Sequence, residues 1–239
     1  MDGQLSPRTA ALVAGFGLLV MAICAPLAFF QLLPQGIVRG DGVATVERLR
    51  LDGTPFLLGV YLLFLTYVMD VIVAWALYWL LRPGQQALSL LVAWMRIVYA
   101  ALAFIGLMAY FHAYELANTA DTALSADVTG LQSEVQYQLL AAQTATRVAL
   151  TFFGVHLLVM GAVIWRSTHV PGWTGVAVAV AGSAYLVLYL AQHFAPHLSL
   201  DWLMLFSLGE LFFMGWLLVS GWRLDESRLV GSARRHNGN

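Results

Sequence analysis

Long apolar runs alternate with short polar stretches along this chain, and six of the runs are long enough to be membrane-crossing helices. They cover roughly Ala10–Leu33, Phe56–Leu81, Leu88–Tyr110, Val148–Trp165, Gly175–Phe194 and Leu200–Trp222. About 20 residues rising about 1.5 Å each cross the roughly 30 Å of hydrocarbon in a bilayer. Pro26 falls inside the first run and predicts a kink there, with neighbouring helices satisfying the freed carbonyl. The turn "RPGQQA" carries Pro83 and Gly84, so the second and third spans form an antiparallel hairpin. The turn "RSTHVPGW" does the same for the fourth and fifth.

Two polar stretches are longer than turns. "GDGVATVERLRLDG" predicts a short outer amphipathic helix, with Val43, Val46, Leu49 and Leu51 available for one face. "DVTGLQSEVQYQLLAAQTATRVAL" keeps a helical period and extends the fourth span outward by several turns. Gln132, Gln136 and Gln143 fall near one side of that extension, which reads as a solvated cap or as a lid over an outward-facing cavity.

Composition agrees with this layout. Apolar residues make up 60% of the 239 and charged residues 10%, against roughly 45–50% and about 25% in soluble domains. The expected fold is therefore an all-α membrane protein: a single bundle of six transmembrane helices over residues 1–222 and a short cytoplasmic tail over 223–239. No length remains for a separate soluble catalytic domain. The first run is too long for the apolar region of a signal peptide and is taken as an uncleaved span. A net charge of −1 gives no basic surface for nucleic acid. Membrane lipids are the expected partners, with a small amphipathic ligand as a further one; nothing in the sequence indicates an oligomeric state. Cys24 is the only cysteine, so an intrachain disulfide is excluded.

Every basic side chain is Arg, a bias of GC-rich genomes that points to a bacterial source and hence to the inner membrane. Arg8, Arg82, Arg166, Arg223, Arg228, Arg234 and Arg235 lie on one side of the predicted spans, and Arg39, Arg48, Arg50 and Arg147 on the other. The bias predicts cytoplasmic N- and C-termini. Tyr61, Trp79, Trp165, Trp173, Trp202 and Trp222 cluster where interfacial rings commonly sit.

Within the spans, four ionisable residues interrupt the apolar pattern. Asp70 and Arg96 lie nearly equal distances from the hairpin turn, and at about 1.5 Å per residue their depths agree to within roughly 3 Å. His156 and Glu210 fall near the same level of the fourth and sixth spans, and Tyr185 and Tyr189 share a face of the fifth. Ionisable groups at that depth are costly unless they face inward and find partners. The sequence thus predicts a buried polar site near the bilayer midplane formed by Asp70, Arg96, His156 and Glu210, with Tyr99, Tyr185, Tyr189 and Ser207 as neighbours. Two carboxylates against one guanidinium leave a surplus negative charge, so a proton is expected on His156 or on one carboxyl. Small residues (Gly175, Ala179 and Ser183; Gly154 and Gly161; Gly209 and Gly215) predict close helix packing around it.

The pieces "DVIVAWALYWLLRP", "RIVYAALAFIGLM", "GVHLLVMGAVIWRSTHVPGWTGVAVAVAGSAYLV" and "GELFFMGWLLVSGW" resemble a family of bacterial integral membrane proteins known as a domain of unknown function, DUF4386. The resemblance runs from the first span to Trp222. It implies the six-helix topology and no particular activity, substrate or cofactor. The residues themselves leave several uses open. The cluster could be an electrostatic clasp, a binding or translocation site for a small amphipathic molecule or ion, or an intramembrane catalytic site. In the catalytic version Glu210 or Asp70 is the base, His156 a shuttle and Arg96 an oxyanion clamp. No cofactor is expected; the less favoured options are a metal at His156, Glu210 and Asp70, and a haem held by His112 with His193 or His197.

Overall fold

A computed structural model of the protein describes residues 5–83, 85–119, 128–195 and 197–224. The tail with Arg228, Arg234 and Arg235, and the outer acids Asp121 and Asp127, lie outside the described residues. All regular structure among the described residues is helical. Among the described residues, six helices are long and apolar enough to cross a membrane: Pro7–Gly36, Thr54–Leu81, Gln86–Asn118, Gly130–Trp165, Gly172–Phe194 and Trp202–Arg223. The protein is a multi-pass membrane protein.

Two of these spans change helix type along their length. The first begins as α1 (Pro7–Pro26), widens into a π-helical segment over Leu27–Leu32, and closes as α2 (Leu33–Gly36). Pro26 has no N–H to donate and its ring crowds the preceding turn. A wider register lets the chain continue past that defect. After α3 (Gly42–Asp52), α4 (Thr54–Leu81), α5 (Gln86–Thr119), α6 (Val128–Trp165) and α7 (Gly172–Phe194), the sixth span starts as a 3-10 helix over Asp201–Ser207. It relaxes to α8 (Leu208–Ser220) midway.

By internal contacts the chain forms two units. One comprises Met21–Val68 and Ala100–Ala149. Here Gly40, at φ +78°, takes a left-handed turn open to glycine. The Asp41 carboxylate then caps α3 by accepting from the Ala44 N–H at 2.9 Å. Thr45, Val46 and Leu49 are the buried face of α3, with Leu49 fitted against Gly36. Val43 and Leu51 are exposed, so the apolar face is narrower than the sequence suggested. They lie in phase with Glu47, four residues from each, which turns that stripe outward.

In the same unit the N-terminal part of α6 buries Val135, Leu139, Ala142 and Ala149 at heptad spacing. Opposite them α5 buries Leu107, Tyr110, Ala113 and Ala117. A Cβ placed on Gly106 would lie 3.0 Å from the Ala142 carbonyl oxygen, so these backbones nearly touch. α5 continues to Thr119, beyond the span end expected at Tyr110, because this small-residue seam continues. Gln136 lies over Gly42, whereas Gln143 is exposed and Gln132 half-buried.

The other unit comprises Met1–Val20, Met69–Tyr99 and Leu150–Asn239. Glycines set its helix spacing. A Cβ on Gly161 would sit 2.6 Å from the Gly175 carbonyl oxygen, and one on Gly154 would sit 2.9 Å from that of Gly182. The α7 seam therefore runs Gly175, Ala179, Gly182, and Ser183 points outward and donates to the Ala179 carbonyl at 3.0 Å. The sequence-predicted spacing of four drifts off a helix face; alternating four and three holds it. Gly209 packs on Ala177, but among the described residues nothing lies within 4 Å of a Cβ placed on Gly215.

Candidate functional site

The ionisable cluster belongs to this second unit. Asp70 falls on the buried stripe of α4 with Val73, Ala74, Leu77 and Leu81, and Arg96 on that of α5 with Ser89, Val92, Ala93 and Tyr99. Each charge replaces an apolar residue in phase with its helix, so the packing that buries the stripe also buries the charge. Arg96 Nη2 lies 2.8 Å from Asp70 Oδ1, with the side chains 1% and 0% exposed. The approach is off the axis of a well-aligned hydrogen bond, so the link is chiefly electrostatic.

Phe153 of α6 is the hub around which the other groups are arranged. The Arg96 guanidinium carbon sits 5.5 Å from its ring centroid, within cation–π range. Tyr99, His156 and Tyr185 lie 4.4, 5.5 and 5.6 Å from the same ring, centroid to centroid. Tyr185 stacks along Tyr189 at 6.1 Å. The Tyr185 hydroxyl sits beside the Glu210 carboxyl and the Ser207 hydroxyl. Ser207 donates to the Met204 carbonyl at 2.6 Å. Glu210 occupies the first turn of α8, where the helix dipole favours a carboxylate, and lies within electrostatic reach of Arg96 and Asp70. Unlike Asp70, it is only half-buried.

Phe153 was not legible as a site residue. Its one sequence signal is that it stands three positions before His156, on the same helix face. The close approach of α6 to α7 at Gly154 and Gly182 brings that face against Tyr185.

His156 is fully buried, and neither ring nitrogen has an aligned hydrogen-bond partner among the described residues. The backbone of Val92 lies near the ring without that alignment. Asp70 Oδ2 is likewise buried without a hydrogen bond. Among the described residues, no three His, Cys, Asp or Glu side chains converge closely enough to hold a metal ion. His156, Glu210 and Asp70 therefore share a neighbourhood without forming a ligand set. His112 and His193 are exposed, and His193 Nδ1 lies 3.1 Å from the Tyr189 carbonyl oxygen.

The family model described as a domain of unknown function (DUF4386) matches residues 13–221, a stretch that includes Asp70, Arg96, His156 and Glu210. An uncharacterized protein of Archaeoglobus fulgidus is 28% identical to the chain over 172 residues, covering 72% of this chain and 89% of the relative. No solved structure matches the chain. The match extends over all six apolar helices and nearly the whole sequence, and the chain belongs to the DUF4386 family.

Proposed function

We propose that this protein binds a small amphipathic molecule or ion at the Asp70–Arg96–His156–Glu210 cluster and moves it across the membrane. The observation that carries this reading is His156, buried beside Phe153 with neither ring nitrogen having an aligned partner among the described residues. More than about 90% of buried polar groups in proteins are hydrogen-bonded, and each exception calls for an explanation, a functional role among them. A clasp kept only to fix helix register gains from satisfying every buried polar atom and gains nothing from a stranded imidazole. The aromatic shelf of Phe153, Tyr99 and Tyr185 supplies apolar contact next to the fixed charges, the mixed lining that amphipathic ligands use. The 3-10 start of the sixth span, which ends at Ser207 beside Tyr185, adds support, because interrupted helices recur at transporter binding sites. Intramembrane catalysis is less well supported: Arg96 faces Asp70 at 2.8 Å, so its charge is directed to a carboxylate and not to a reacting oxygen. The Arg-only basic composition and its distribution support a bacterial inner membrane, with both termini in the cytoplasm.

The test is equilibrium binding of a fluorescent fatty acid to the purified protein in detergent. His156→Leu and Phe153→Leu are each expected to weaken binding about tenfold, a loss of about 1.4 kcal/mol. Unchanged affinity in both variants, with folding intact, removes the cluster from this role.

A further inference from the structure

A second feature lies away from this cluster. An open groove of about 380 Å³ runs along α1, walled on its other side by α4. Leu12, Phe16 and Val20 line it from α1, and Met69 and Ile72 from α4. Gly17 forms its floor, where a Cβ would come within 2.5 Å of Val73 Cγ2, so glycine is what lets the two helices meet. Arg8 stands at one end, the only charged residue among the described residues of the lining. Among the described residues no carboxylate lies within ion-pair distance of it.

The arrangement is graded along the helix axis. Arg8 and Thr9 mark the N-terminal end of α1, and everything deeper is apolar. From Arg8 to Val20 the helix rises about 18 Å, close to the roughly 15 Å of hydrocarbon in one leaflet. The guanidinium carbon of Arg8 is held 5.0 Å over the ring of Trp222, itself 58% exposed. Exposed tryptophans of this kind sit at headgroup level, so the stacking holds the Arg8 guanidinium at the level of the lipid phosphates.

We propose that this groove is a binding site for one anionic glycerophospholipid, its phosphate on Arg8 and one acyl chain against Phe16, Met69 and Ile72. Charge complementarity at one end and a single-leaflet length of apolar wall identify this occupant. A zwitterionic lipid would bring its own cation to Arg8, and a free phosphate ester would leave the apolar wall uncovered. The proposal is independent of the use of the His156 cluster.

Native mass spectrometry tests it on the purified full chain, released from micelles doped equally with phosphatidylglycerol and phosphatidylcholine. Wild type is expected to retain one phosphatidylglycerol in preference to phosphatidylcholine. Arg8→Gln should reduce that retention about fivefold, the share of one interfacial Arg, and Arg8→Lys should restore most of it. Leu12→Trp, which fills the groove without touching the charge, should also reduce it. Arg82→Gln, at an arginine stacked on Trp79 at 4.2 Å and outside the groove, should leave it unchanged. Excess glycerol 3-phosphate should not displace the lipid. Equal retention of the two lipids, no loss in Arg8→Gln, an equal loss in Arg82→Gln, or displacement by glycerol 3-phosphate would each overturn the proposal.

Discussion

Replacing Asp70 with Asn keeps the side chain's shape and removes its charge, leaving the buried Arg96 guanidinium without the carboxylate 2.8 Å away. The attraction being removed follows from the 2.8 Å separation: at an effective dielectric of about 20 it is about 6 kcal/mol gross. Against this stands the cost of taking two ions out of water, several kcal/mol each, so the intact pair contributes little net stability. Breaking it is a different matter, because one desolvated charge remains, and the expected loss is about 3–5 kcal/mol. Replacing both residues, as Asp70→Leu with Arg96→Met, removes both the attraction and the desolvation and should return stability to within about 1–2 kcal/mol of wild type. Equilibrium unfolding of the purified protein in mixed SDS and mild-detergent micelles measures these changes, with Asp70→Leu and Arg96→Met alone supplying the two single losses. The double replacement also separates two roles: a pure clasp would be dispensable for every other property, whereas a binding site would fold and lose its ligand. If Asp70→Asn unfolds with wild-type stability, or if the two single losses simply add in the double variant, the pair is not the desolvated, coupled unit described above.

Gly161→Leu should destabilise by about 1–3 kcal/mol, since the new side chain must enter the space now filled by the Gly175 backbone and Ala179. Gly215→Ala should instead stabilise by about 0.5–1 kcal/mol, because nothing lies within 4 Å and only the glycine's helix-breaking entropy is removed. Equal effects in the same unfolding assay would refute the packing assigned to α6 and α7. His169, in the turn before α7, is half-buried, and burial holds its imidazole below the ordinary 6.5. The unfolded chain then binds more protons as pH falls past that value, so this contribution is complete above about 6.5 and lost below it. Amide exchange in residues 166–171 should accelerate from pH 7 to pH 5 more in wild type than in His169→Ala; an unchanged ratio would contradict the assignment.

The amino-acid sequence by itself determined the number of spans, the extension of α6 ahead of the span expected at Val148 and the inward orientation of Asp70 and Arg96, because hydrophobicity and the 3.6-residue period are local properties. A charge in phase with a buried stripe has only one way to point, and the hairpin turn sets its depth. Other features depended on which surfaces meet. Phe153 is one apolar residue among many until Arg96, Tyr99, His156 and Tyr185 are brought around its ring. Gly182 replaced Ser183 in the α7 seam because the crossing of two helices selects the register, and Val43 and Leu51 stayed outside because α3 offers only a narrow face to its unit. The 3-10 start of the sixth span likewise depends on the packed chain, and Pro26 announced a local defect in the first span without showing that a π segment would absorb it. Tertiary structure alone decided which polar atoms are satisfied. Periodicity buries His156, but only its assembled neighbours leave both ring nitrogens without an aligned partner.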